Sequence, residues 1–178
     1  MTVQEDWEKR IEKPRVDVED LYLAMRMFLD MQNLIQNNTS LHRDDYFHNY
    51  LRQTYIAHIS VLLRRNIRRN SKGYSFLSFL DSVAAEKRGE KDDVLKDIAE
   101  IERYAELCNA FFDKEVVHLD KIQPDSRPKY SDVHACITLL TELCKKYSMA
   151  LFQEEWWPEE REIGDAWLTL FDSAWYEP

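Results

Sequence analysis

The chain has 178 residues, a net charge of −9, 44% hydrophobic and 32% charged residues, but only three glycines and five prolines. That length suits one domain able to bury on the order of 70% of its unfolded surface without disulfides or metals, and the scarcity of turn residues excludes a β-rich fold. The acidic balance, with a pI near 5.1, opposes non-specific attraction to nucleic acid or an anionic membrane, because such binding draws on lysine and arginine.

The N-terminal MTVQEDWEKRIEKPR carries charges where a signal peptide needs an apolar core, and no window approaches a membrane span. A cytoplasmic protein is expected. The first helix is predicted over about Asp17 to Asn37, with Asp17 as N-cap and Leu21, Met25, Phe28, Leu29 and Ile35 at helical spacing. A second helix, roughly Arg43 to Arg69, is apolar over a wide arc that includes Phe47, Tyr50, Leu51, Tyr55, Ile59, Val61, Leu62 and Leu63. Such a helix should be central.

After SKG at 71 to 73, Ser75 is expected to cap a short helix burying Phe76, Leu77, Leu80 and Val83. From Asp92 to about Val117 the series Val94, Ile98, Ile101, Ala105, Cys108, Phe112 steps by three and four, the clearest amphipathic pattern in the chain. The loop KIQPDSRPKY leads to a helix capped by Ser131, carrying Val133, Cys136, Ile137, Leu140, Cys144, Tyr147 and Leu151. Pro158 opens a last helix, about 159 to 175, with Ile163, Trp167, Leu170 and Ala174 inward. Its aromatics read as core, with some available to cover a dimer surface. Cys108, Cys136 and Cys144 read as reduced core thiols. Together these elements predict an all-α, single-domain antiparallel bundle of five or six helices.

Chemistry could reside in few places. His118 and Asp120 follow an apolar run near a helix terminus, where an imidazole can transfer protons or simply cap the helix. LLRRNIRRNSK, 62 to 72, is the one dense basic cluster. The macrodipole explains Arg68 and Arg69, whereas Arg64 and Arg65 follow the most apolar part of the helix, and a semi-buried arginine needs a carboxylate or phosphate partner. Asp113 or Asp120 could supply an internal ion pair, and a phosphate site is the other option. No metal-ligand spacing, glycine-rich phosphate loop or nucleophile elbow is present, so neither metal nor cofactor is expected.

Three stretches resemble one family. YIAHISVLLRRNIRR (55 to 69), then YSFLSFLDSV (74 to 83), then DKEVVHLDK (113 to 121) are similar in order and spacing to abortive-infection HEPN-like proteins of the AbiU type, over about residues 20 to 155. The resemblance implies a helical bundle that forms homodimers, belongs to a prokaryotic defence or toxin–antitoxin system, and takes either an RNA substrate or an antitoxin-like protein partner; the acidic charge balance is what argues against membrane and DNA. Many such domains are metal-independent endoribonucleases using an arginine, four to six residues, then a histidine. Carried over, the histidine is His118, but five residues before it stands Asp113 instead of arginine. An aspartate there would repel the phosphate by about a kcal/mol or more, and activity would require Arg64 or Arg65 to supply the cation, with Asp120 beside the imidazole. The alternative is a non-catalytic helical module for dimerisation or protein interaction.

Overall fold

The computed structural model describes residues 3–37, 45–70, 75–86, 88, 90–115 and 129–158. Among these there are five helices and no strand: α1 (Val3–Asn37), α2 (Asp45–Asn66), α3 (Phe76–Ala85), α4 (Lys91–Glu115) and α5 (Tyr130–Phe152). The predicted last helix, about 159 to 175, lies outside the described residues. Buried side chains from all five helices join in one core cluster.

Helix α1 begins 14 residues before the start its sequence pattern implied, at Val3 instead of Asp17, and runs through Pro14. Proline in a helix interior removes one backbone hydrogen bond and crowds the carbonyl four residues earlier, which is why EKPR reads as a boundary. Tertiary contacts outweigh that cost. Trp7 is 1% exposed and meets Phe79 of α3 edge-on at 5.8 Å. The guanidinium groups of Arg10 and Arg88 lie over its ring at 5.1 and 5.0 Å. Ile11, Val18, Leu21, Met25 and Ile35 continue the inward stripe. Asp17 is therefore mid-helix and buried, not an N-cap.

The expectation for α2 also needs correcting. Tyr55, Ile59, Leu62 and Leu63 are buried, but Tyr50 and Val61 are 61% and 64% exposed. The helix packs mainly on α1 and α4, while α1 is shared by α5, α2 and α3. An apolar arc can thus be wide without being covered.

The remaining elements follow their local chemistry closely. Ser75 caps α3 by accepting from the Ser78 N–H at 3.1 Å, and Phe76, Leu77, Phe79, Leu80 and Val83 are buried. Every member of the α4 series from Val94 to Phe112 is buried. In α5 the cap is Lys129, two residues earlier than the expected Ser131, because the Asp132 carboxylate reaches back to accept the Lys129 N–H at 3.0 Å. Its far end closes at Gln153, whose left-handed φ of 56° lets its N–H return to the Met149 carbonyl at 3.0 Å.

Cys108 of α4 and Cys136 and Cys144 of α5 are buried free thiols. A hydrogen bond with Cys108, then burial, holds the Cys136 thiol well above its ordinary titration range, and burial does the same for Cys144. Both stay protonated at neutral pH. Replacing Ser75 by alanine removes the α3 cap and should cost about 1 kcal/mol, read as a lower urea midpoint at unchanged m-value; an unshifted midpoint would contradict this account of α3.

Candidate functional site

The arginine pair of α2 is the one sequence-predicted site that falls among described residues with side chains. Arg65 is a third exposed and directs its Nε and Nη2 donors to the two carboxylate oxygens of Asp17. The Asp17 side chain is only 1% exposed. The same carboxylate accepts from Asn66 Nδ2 at 3.1 Å and lies 3.1 Å from Lys13 Nζ. Four donor atoms from two helices thus converge on one buried anion, which is how such a charge is tolerated.

Asn66 extends the network. Its amide also donates to the Leu62 carbonyl at 3.0 Å, and its Oδ1 accepts the Phe76 N–H at 3.3 Å. One fully buried side chain therefore links the end of α2 to α1 and to the start of α3. Arg64 points elsewhere, its guanidinium 5.5 Å from the Phe112 ring of α4, an arrangement favourable to both partners. Arg69 binds Asp81 of α3 at 2.8 Å and Glu102 of α4 at 2.5 Å, and the bond to Asp81 foremost raises its pKa. The basic cluster is built into helix-to-helix joints at three points.

Among the described residues the carboxylate partner of Arg65 is Asp17. The side chain of Asp113 is outside the described residues, as are His118 and Asp120 entirely. A phosphate meeting the same Nε–Nη2 edge of Arg65 would have to displace Asp17 and leave a carboxylate buried with less than its full set of donors, a change that typically costs several kcal/mol.

A second cluster was not singled out by the sequence. Phe28 of α1 stacks on Tyr55 of α2 at 4.1 Å and 9°, and Tyr130 of α5 lies 5.4 Å from Phe28. His134 meets Phe28 and Tyr55 edge-on at 6.2 and 6.0 Å. The His134 Nε2 and the Tyr55 hydroxyl are buried without hydrogen-bond partners among the described residues. Burial lowers the His134 pKa and raises that of Tyr55, so both are neutral at pH 7. The only hint in the sequence is that His134 follows Tyr130 by four positions, on the same helix face.

Among the described residues no group of three or more His, Cys, Asp or Glu side chains could hold a metal ion, and no helix is long and apolar enough to cross a membrane. Compared with protein-family models, curated proteins and solved structures, the chain has no match in any of the three.

Two measurements follow from this geometry. In a double-mutant cycle on Asp17→Ala and Arg65→Ala, each single change should lower stability by about 2–4 kcal/mol and the pair should show a coupling above about 1 kcal/mol; additive losses would mean the ion pair contributes nothing. For His134, a folded-state pKa below the unfolded value gives stability that is present above the unfolded pKa near 6.5 and is lost as pH falls through that value. Wild type should therefore lose stability between roughly pH 7 and 5.5 more steeply than His134→Phe, as read by urea denaturation at each pH. Parallel curves would refute the assignment.

Proposed function

We propose that the chain is a HEPN-like, antiparallel helical protein of a prokaryotic defence or toxin–antitoxin type system, and that it works as a cytoplasmic interaction module instead of an endoribonuclease. Contacts between Asp17 and Arg65 and between Phe28 and Tyr55 support opposite directions for α1 and α2, as that architecture requires. The observation carrying the choice between the two activities is the commitment of Arg65 to Asp17. An RNase of this type lacking its motif arginine needs a replacement cation for the developing phosphorane charge, and Asp17 and the Phe112 ring take up the two guanidinium groups best placed to serve.

The active reading survives in the sequence through His118 and Asp120, whose presence keeps a proton-transfer group in the chain. Purified protein incubated with structured RNA in EDTA separates the two. On the present proposal, wild type and His118→Ala leave the RNA equally intact, and the variant alters stability or assembly more than any turnover. Cleavage by wild type that disappears in His118→Ala would overturn it.

A further inference from the structure

A groove of about 600 Å³ runs between α1 and α2, a volume in the range of small-molecule sites. On α1 its lining residues run from Asp20 to Met31, and on α2 from Leu51 to His58. Both sets keep the three-and-four spacing of a single helix face, so the groove is elongated: Asp20 and Met31 stand about 16 Å apart along the axis of α1 at the rise of an α-helix. Its base is firm. Phe28 and Tyr55, both in its wall, stack at 4.1 Å, and the Asp17–Arg65 pair beyond its end holds the two helices in register. A site formed before its ligand arrives spares the cost of ordering it, while the thioethers of Met27 and Met31 adapt to irregular apolar shapes.

The groove also has a polar end. Because Asp17 meets Arg65 and Phe28 meets Tyr55, Asp20 and His58 fall toward the Asp17 end, and Met31 and Leu51 toward the other. Asp20 is the single carboxylate among the described lining residues, which include neither lysine nor arginine. It is exposed and has no ion-pair partner among the described residues. Lys13 and Arg65, cations toward the same end, are both committed to Asp17. One negative charge thus stands at the end of an otherwise apolar channel, in a chain of net charge −9. A carboxylate, sulfate or phosphate head would be repelled there, and a neutral one would leave the charge unmatched. An ammonium head donates charge-assisted hydrogen bonds to Asp20, and the imidazole of His58 can accept a further one in its neutral form.

We propose that this groove binds a cationic amphiphile, a primary ammonium carrying an unbranched apolar chain. The head lies at Asp20 and His58, and the chain runs along Met27, Phe28, Met31 and Leu51. Burial of the chain supplies affinity, and Asp20 supplies selectivity. The site is additional to the role of interaction module and does not depend on it.

Decylammonium, decanol and decyl sulfate share one chain and differ in charge, and each is added alone below the concentration of micelle formation. Binding is read by calorimetry and by the methyl NMR signals of labelled methionine. Decylammonium is expected to shift the Met27 and Met31 signals, to leave that of Met149 on α5 in place, and to bind about ten-fold more tightly than decyl sulfate. Asp20→Asn, at an exposed position, should weaken decylammonium about five-fold, the upper range for an exposed ion pair, with decanol unchanged. Glu106→Gln, which removes an exposed acid of α4, should change neither. Thr54→Trp fills the groove from an exposed position in its wall and should weaken decylammonium and decanol alike, with far-UV circular dichroism unchanged. Equal affinity for decylammonium and decyl sulfate, wild-type binding by Asp20→Asn, or shifts confined to Met149 would overturn the proposal. So would Met27 and Met31 signals that move with protein concentration alone and ignore decylammonium, the mark of a second copy lying in the groove.

Discussion

A carboxylate with 1% of its side chain exposed to solvent organises this bundle. Desolvating Asp17 would be prohibitive alone, and the structure surrounds it with donors from Arg65, Asn66 and Lys13. The consequence is geometric as much as energetic. Hydrophobic contacts tolerate sliding, whereas a bidentate guanidinium–carboxylate pair holds one register, so α1 and α2 are fixed along their lengths by this contact. Asn66 carries the constraint onward to the first residue of α3.

The same arrangement accounts for the character of the basic cluster. An arginine run in an acidic protein invites a reading as an anion site, and the pattern does not distinguish a cation waiting for phosphate from one already neutralised. What decides is where the acids fall. Arg65 finds Asp17 on α1, and Arg69 finds Asp81 and Glu102 on α3 and α4, so one end of α2 is tied to three neighbours by charge. Electrostatics here serves assembly of the bundle first.

How far the sequence carried the reading varies by element, for a physical reason. The α4 series is one-sided, each apolar residue falling within the same arc, so period alone finds both the helix and its buried face. Ser75 is equally legible, because capping chemistry is local. Asp17 was misplaced as a cap since its true partner stands 48 positions away and local rules favour an acid at a helix start. The α1 extension was hidden by Pro14, whose local penalty is overcome by Trp7 docking on α3. In α2, hydrophobicity marked Tyr50 and Val61 as interior, but hydrophobic residues may face either a core or a partner, and composition cannot choose. His134 and the Tyr55 hydroxyl were missed because a buried polar atom becomes visible only when its surroundings are known.

The buried thiols of α4 and α5 add one more property to the molecule. Thiolate is the reactive form of cysteine, and the hydrogen bond with Cys108 together with burial at Cys136, and burial at Cys144, keep that form scarce at those two residues. Electrophiles in the surrounding medium consequently do not reach these thiols while the helices stay packed. Modification of the cysteines is gated by local opening of the bundle, which turns them into a timer for its breathing.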